Sequence, residues 1–297
     1  MEQNYEKYVS GERRSIKEIL ERNAGLVYEE LTRQLSEICN RNPYGRAVAA
    51  VCGGSGAGKT RIAALLAQYL WQDGTGCCLL AGDHYPHRIP GENDAERLRI
   101  FRQSGIRGML DDGVYTPEHF QKLQEWQRAR TDANLSHQKE NPWFASYRKA
   151  GRIGLARYLG TEQEQSFAEV QAVITAFKNG SPSLWLRHMG REAYELWYEE
   201  ADVTKTKVLL LEWTHANSDH LTGIDYSILL SSTPQETLSS RIARNRDSGI
   251  DSPFTNLVLE IEQEQLHQQA TKANLIISRN GELLSYKDYV SLYTTCQ

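Results

Sequence analysis

The chain has 297 residues, with 34 basic and 38 acidic side chains and a formal net charge of -4. This length supports one large domain or two small ones, with a core that needs neither metal nor disulfides. The slight acidic surplus argues against a nucleic-acid binder. The sequence contains no run of about 18 apolar residues, so we expect no membrane span. Because the N-terminus is polar and lacks a signal-peptide pattern, we expect a cytoplasmic protein.

Residues 1–46 form an extension before the first predicted strand. Their apolar residues recur at helical spacing, which predicts a mostly helical segment. A turn from Asn42 to Gly45 ends it. We expect this extension to pack on the domain that follows, residues 47–297, or on a second copy of the chain in a homodimer. Plain structural padding is its favoured role.

The strongest motif lies at the start of residues 47–297. A small apolar run at 47–52 predicts a buried strand, and residues 61–71 have the apolar spacing of a helix. The sequence between them fits G-x-x-x-x-G-K-[ST], the phosphate-binding loop. Its residues are Gly53, Gly54, Ser55, Gly56, Ala57, Gly58, Lys59 and Thr60. Backbone N–H groups would hold the phosphates of ATP, Lys59 would reach the β- and γ-phosphates, and Thr60 would bind Mg²⁺.

A second buried strand is predicted at 77–82, parallel to the first because a helix joins them. Five polar or aromatic residues follow it: Asp83, His84, Tyr85, His87 and Arg88. Ligands of open α/β sheets bind beyond the carboxyl ends of the strands, so we expect these residues beside the phosphate loop. Asp is common in turns, but this concentration of titratable side chains favours a functional site over a plain turn.

Residues 90–205 lack strand alternation, which predicts a large helical insertion. We expect this insertion to form the pocket for the acceptor, the molecule that would receive a phosphoryl group. Arg187 lies in it, together with Trp126, Trp143, Trp185 and Trp197. Flat aromatic rings beside fixed polar groups suit the apolar faces and hydroxyls of a sugar. For any single tryptophan of the insertion, a place in the core is the better expectation.

A third strand is predicted at 207–212. Its apolar residues followed by Glu212 are typical of a Walker-B strand, whose acid lies near Mg²⁺. Trp213 opens the loop at the carboxyl end of this strand. We therefore predict that Trp213 faces the cleft and contacts the acceptor.

An arginine-rich helix follows the next strand, 225–230, and has Pro234 in its first turn. It carries Arg241 and Arg244, which share a face because they are three residues apart, and Arg246 follows. A solvated surface is the usual role of such a helix. Its position here suits a lid that closes over the charge developing in phosphoryl transfer. A helix at 257–269 and a strand at 273–278 complete the domain.

In this order the motifs resemble the P-loop kinases grouped with uridine kinase, phosphoribulokinase and pantothenate kinase, over residues 47–280. The phosphate loop matches that group down to its leading Gly-Gly-Ser. Asp83 and Tyr85 are similar to the group's Asp-x-(Phe/Tyr) element. Glu212 is similar to its Walker-B acid, although Trp213 stands where the group often has Gly. Arg241, Arg244 and Arg246 resemble the arginine lid of the group, with altered spacing.

More narrowly, residues 83–90 and 93–99 resemble bacterial sucrose kinases, some of which are fused to α-galactosidases. The resemblance implies transfer of the γ-phosphate of ATP to a hydroxyl of a small molecule. A neutral sugar is favoured, with a disaccharide among the candidates. It further implies that Asp83 orients the acceptor hydroxyl and accepts its proton, and that Glu212 lies in the inner or outer shell of Mg²⁺.

The sequence thus predicts an α/β P-loop NTPase fold: a doubly wound, mostly parallel sheet with a helical insertion and a helical N-terminal extension. Two rival functions stay open, a nucleoside kinase for uridine or cytidine and a nucleotide-dependent switch or motor ATPase. The lack of an N-K-x-D element and of an L-S-G-G-Q signature favours a kinase over the second. A degenerate binding module is disfavoured because Lys59, Thr60, Asp83 and Glu212 are all present. We expect no nucleic-acid or membrane partner.

Overall fold

The computed structural model describes residues 14–244 and 251–295. The chain divides into two compact units. The first unit comprises residues 1–85, 166–244 and 263–297, and the second comprises residues 86–165 and 245–262.

The described strands all belong to the first unit, and helices precede and follow them in the chain. The helices of the chain are α1 (Arg14–Asn40), α2 (Lys59–Gln72), α3 (Pro90–Asp111), α4 (Pro117–Arg128), α5 (Phe144–Ala156), α6 (Phe167–Lys178), α7 (Pro234–Arg244), α8 (Pro253–Gln269) and α9 (Tyr286–Thr295). The strands are β1 (Ala47–Gly53), β2 (Gly76–Ala81), β3 (Ser183–Met189), β4 (Leu196–Asp202), β5 (Thr206–Glu212), β6 (Tyr226–Ser231), β7 (Leu275–Ser278) and β8 (Leu283–Leu284).

A six-stranded sheet forms the centre of the first unit, in the order β2-β5-β1-β6-β7-β8. Its strands pair in parallel, except for β7 with β8. Successive residues of β1 pack into two different cores, Val48 and Ala50 on one face and Ala49 and Val51 on the other. The sheet is therefore covered on both faces, as buried parallel strands require. The predicted doubly wound, mostly parallel α/β fold is confirmed.

The described part of the N-terminal extension forms one long helix, α1, followed by a turn. Its apolar residues Val27, Leu31 and Leu35 are buried in the same core as Ala49 and Val51 of β1. Helix α1 thus covers one face of the sheet together with α2. Among the described residues, no helix is long and apolar enough to cross a membrane.

The region predicted as a helical insertion, 90–205, contains an antiparallel hairpin of β3 and β4. Ser183 pairs with Asp202, and Met189 pairs with Leu196. The expectation that this region lacks strands is wrong at its C-terminal end. Strand β4 reads Leu-Trp-Tyr-Glu-Glu-Ala-Asp and is exposed along almost its whole length. It therefore has no apolar alternation that a sequence could reveal.

The second unit is helical. Helices α3, α4 and α5 and the part of α8 up to Glu262 surround a core that includes Phe101, Phe144, Tyr147 and Leu257. Within this unit the fully buried Glu164 accepts a hydrogen bond from Arg97 at 2.6 Å. Asn93 donates to the same carboxylate at 3.0 Å. A buried carboxylate with these donors keeps its charge paired, which ties the start of α3 to residues 160–165.

Candidate active site

The phosphate loop lies between β1 and α2, as predicted. Strand β1 ends at Gly53 and α2 begins at Lys59. Gly56 has φ 81° and Gly58 has φ 96°, in the left-handed region that favours glycine. A side chain at Gly56 is also excluded by packing, because its Cβ would lie 2.9 Å from Cγ of Arg241. The backbone of the loop is therefore free to turn its N–H groups towards an anion at the N-terminus of α2.

Lys59 and Thr60 occupy the first turn of α2. The Lys59 side chain is only 7% exposed, and its Nζ donates to the carbonyl of Gly54 at 3.2 Å. The ammonium group is thus held inside the loop that it would serve. Thr60 is half-buried beside it. These positions agree with the roles predicted for the two residues, which remain predictions.

Glu212 lies at the carboxyl edge of the sheet, between the two strands that carry the other candidate residues. It pairs in register with Val51 of β1 and with Ala81 of β2. Val51 is two residues before Gly53, and Ala81 is two residues before Asp83. The sheet therefore places this buried carboxylate, 3% exposed, at the same edge as the phosphate loop and Asp83.

Asp83 is the middle residue of a short 3-10 helix, Gly82–His84, that follows β2. Its side chain is exposed. Gly82 sits against Trp213 so closely that a Cβ there would lie 2.1 Å from Cγ of the indole. The contact between Gly82 and Trp213 holds the first residue of the 3-10 helix in place. Asp83, the next residue, is thereby held at the surface.

His84 belongs to a row of rings that sequence reasoning did not find. Its Nδ1 accepts a hydrogen bond from the backbone N–H of Met189 at 2.9 Å. The ring centroid of His84 lies 5.2 Å from that of His188, and His188 stacks on Trp197 at 5.1 Å. Burial, and next the neighbouring His188, lower the pKa of His84. Burial thus disfavours the protonated form of His84, and its Nδ1 is held by the backbone of the hairpin.

Tyr85 and Arg187 lie close together, but both are held by the protein. The hydroxyl of Tyr85 accepts the backbone N–H of Arg187 at 3.1 Å. The guanidinium of Arg187 is buried and donates to Glu169 at 3.2 Å. Tyr198 of β4 donates to the other oxygen of Glu169 at 3.1 Å. Arg187 thus joins α6 to the hairpin, and Tyr85 joins the segment after β2 to the hairpin. The sequence predicted both as acceptor-binding residues, and this stays a prediction.

His87 and Arg88 belong to the second unit. The ring nitrogen Nε2 of His87 lies 2.9 Å from the carbonyl of Glu162. Arg88 donates to the hydroxyl of Tyr158 at 3.0 Å and lies 3.7 Å from Glu96. Their predicted contact with an acceptor stays a prediction.

Trp213 requires a correction. The sequence predicted that this residue faces the cleft, but its side chain is 1% exposed. It packs against Phe167, with ring centroids 4.9 Å apart, and fills the space left by Gly82. Trp213 does follow the carboxyl end of β5, as predicted, but its ring points into the core. Trp213 therefore presents no surface to an acceptor in this structure.

The arginine-rich helix α7 lies at the phosphate loop. Thr237 and Arg241 are the side chains nearest to Gly56. The Arg241 guanidinium is buried and donates to the carbonyl of Pro234 at 2.9 Å. Arg244 ends the described part of α7, and its side chain lies outside the described residues, as does the whole of Arg246. The lid role of the three arginines stays a prediction.

The residues present fit the phosphates of ATP and a Mg²⁺ ion. The loop has glycine where no Cβ could be accommodated, and a buried ammonium group. Glu212 supplies a carboxylate and Thr60 a hydroxyl, which are oxygen ligands of the kind that Mg²⁺ takes alongside phosphate oxygens. The described residues contain no group of three or more His, Cys, Asp or Glu that could hold a metal ion by themselves.

Known proteins resemble this chain in sequence and in fold. No protein-family model matches it. It is 39% identical over 262 residues to a bifunctional alpha-galactosidase/sucrose kinase from Mediterraneibacter gnavus. This match covers 88% of the chain and 23% of the relative, so the chain spans about a quarter of the length of the relative that it matches. The narrower resemblance drawn from the motifs, to sucrose kinases, is confirmed.

Solved structures of two kinases are similar at low identity. A phosphoribulokinase from Rhodobacter spheroides is 14% identical, with 78% of this chain and 70% of that chain covered and a TM-score of 0.46. A possible uridine kinase from Bacillus stearothermophilus is 13% identical, with 83% and 98% covered and a TM-score of 0.41. The fold assignment itself rests on the sheet order and the phosphate loop described above.

Proposed function

We propose that this chain is a phosphotransferase that uses ATP and Mg²⁺ to phosphorylate a hydroxyl group of a sugar, with a disaccharide such as sucrose favoured. The arrangement of the sheet edge carries the proposal. Lys59, Glu212 and Asp83 lie at the carboxyl ends of three adjacent parallel strands, with Glu212 on the central strand and the phosphate loop and Asp83 on either side of it. The 39% identity to a protein named as a sucrose kinase supports the sugar as acceptor.

Phosphoryl transfer depends mainly on positioning and on stabilising charge. ATP, when bound, supplies the phosphoryl group, and Mg²⁺ neutralises part of its charge. The N–H groups of the loop would hold phosphate oxygens, and Lys59 would balance charge on the β- and γ-phosphates. Thr60 and Glu212 would hold the ion. These residues are already fixed by β1, β5 and α2, so little reorganisation would be needed on binding.

Asp83 is the residue that we assign to the acceptor. Its carboxylate is exposed at the end of β2, while that of Glu212 is buried at the end of β5. An exposed carboxylate can receive a substrate hydroxyl, orient it and take its proton. A buried one at the same edge suits the ion. This contrast in exposure supports the division of roles between the two acids.

A coupled assay of ADP release tests the proposal. The wild-type chain, ATP and Mg²⁺ would be combined with a panel of sugars and nucleosides, and Lys59→Met would be the control. We expect ADP release that depends on a sugar, strongest with a disaccharide, and a loss of ~10²-fold or more in kcat for Lys59→Met. ADP release with uridine or cytidine but with no sugar would contradict the proposal.

A further inference from the structure

Helix α1 precedes the first strand in the chain, and in the fold it contacts the phosphate loop. The side chain of Leu20 is buried against Gly58, where a Cβ would lie 2.6 Å from Cδ2 of the leucine. One residue later, Glu21 pairs with the buried guanidinium of Arg61 at 3.2 Å. The loop is therefore supported from outside at its last glycine and in the first turn of α2.

The next turn of α1 holds a second segment, the turn after β7. Asn23 is 3% exposed, and its amide nitrogen donates to the carbonyl of Arg279 at 3.0 Å. Arg22 donates to the carbonyl of Asn280. Strand β7 is parallel to β6 and so ends at the same edge of the sheet as the phosphate loop. Helix α1 thus bridges two loops at that edge.

The side chain of Arg279 carries the connection onward to α7. Its guanidinium donates to the carbonyl of Glu236 and lies 3.4 Å from the hydroxyl of Ser240. The same helix places Thr237 and Arg241 against Gly56 of the phosphate loop. Starting from Leu20, the contacts therefore form a closed ring: α1, the β7–β8 turn, α7, the phosphate loop and α1 again. We call this set of contacts the support ring.

We propose that Asn23 and Arg279 are positioning residues for the nucleotide site, which act by holding α7 and the phosphate loop in one arrangement through the support ring. A glycine-rich loop loses more conformational entropy on ordering than other segments. A loop that is already ordered before the nucleotide arrives binds it more tightly. Helix α1 of the N-terminal extension then supports the nucleotide site, in place of the plain structural role that the sequence favoured.

The inference rests on the proposed use of the loop for a nucleotide, so its test measures nucleotide affinity and not only turnover. Binding of ADP with Mg²⁺ would be measured by calorimetry for wild type, Asn23→Ala, Arg279→Ala and the double variant. Arg33→Ala is the matched control, because Arg33 is an exposed arginine on α1 that pairs with Glu30 of the same helix. Arg279 is half-buried, so Arg279→Ala leaves the core intact.

We expect each single variant to lose about tenfold in ADP affinity, the scale of one hydrogen bond to a charged or buried group. The double variant should lose little more than one single variant, because both break the same ring. Arg33→Ala should bind as wild type. Hydrogen exchange should rise at residues 53–58 and at 234–243 in both single variants. The Michaelis constant for the acceptor should not change.

Other outcomes overturn the inference. Wild-type affinity in Arg279→Ala, losses that add fully in the double variant, or exchange that rises only beside the substituted residue would each show that no ring acts on the loop. A chain that binds ADP but phosphorylates no sugar would contradict the proposed function alone. The affinities would then still decide whether the support ring positions the loop.

Discussion

The phosphate loop and the cluster around His84 are two parts of the first unit that are built in different ways. The loop consists of consecutive residues, 53–60, and its shape depends on backbone conformation and on glycines that leave no room for a Cβ. The cluster around His84 consists of His84, His188 and Trp197, and takes its side chains from the turn after β2 and from the β3–β4 hairpin. The loop is thus specified by local sequence, and the cluster is specified by tertiary pairing.

This difference explains where sequence reasoning is informative. A motif that acts through its backbone keeps a fixed spacing, which can be recognised without a structure. A cluster that acts through side chains has no fixed spacing. In this chain Trp197 stacks on His188 because β3 and β4 pair in register, and the N–H of Met189 holds His84 against the same hairpin.

The largest effect is expected for Asp83→Asn. The substitution keeps the shape of the side chain but removes the base, so kcat should fall by ~10²–10⁴-fold. Affinity for Mg²⁺-nucleotide should change little, because the exposed Asp83 is assigned to the acceptor. Glu212→Gln should instead weaken binding of Mg²⁺-nucleotide. Steady-state kinetics with nucleotide titrations would separate the two variants, and the reverse pattern would exchange the roles of the two acids.

Gly56→Ala tests whether the loop depends on glycine geometry. An alanine at φ 81° is strained by about 1–2 kcal/mol, and its Cβ would also press on Arg241. We expect nucleotide affinity to fall about tenfold or more. Gly74→Ala is a matched control, because Gly74 has φ 75° and no atom within 4 Å of a Cβ. Equal loss of affinity in both variants would mean that strain alone, and not the loop, is responsible.

The structure reverses the places that the sequence predicted for two tryptophans, Trp213 and Trp197. Trp213→Ala removes a ring that is 1% exposed and should lower the free energy of unfolding by about 3–5 kcal/mol. Trp197→Ala removes a ring that is 52% exposed and should change it by less than about 1 kcal/mol. Urea denaturation of both variants would measure this. Comparable losses would contradict the buried place of Trp213.

The fold could be predicted from the sequence further than the site could. The strands at 47–53, 206–212 and 226–231 were predicted nearly to their ends, because buried parallel strands form apolar runs bounded by turns. The exposed strand β4 has no such pattern and was missed. The burial of Trp213 depends on the space above Gly82, a residue more than a hundred positions away in sequence. The contact of α1 with Gly58 could not be predicted either, because it depends on tertiary packing alone.

The smallest of these effects concerns pH. Burial lowers the pKa of His84 in the folded chain below its usual 6.5. Below about pH 6.5 the unfolded chain therefore binds a proton that the folded chain resists, and stability falls as the pH falls. His84→Gln should lose less stability than wild type between pH 7.5 and pH 5.5. Urea unfolding at the two pH values would show this, and an equal or larger loss in the variant would contradict it.

The most direct test of the proposed function is ³¹P NMR of a reaction that contains the chain, ATP, Mg²⁺ and sucrose. Phosphoryl transfer to a sugar hydroxyl predicts a new phosphomonoester resonance that grows in step with ADP, and Lys59→Met should abolish both. Formation of ADP with inorganic phosphate alone, or a phosphomonoester that forms only when uridine or cytidine replaces the sugar, would contradict the account.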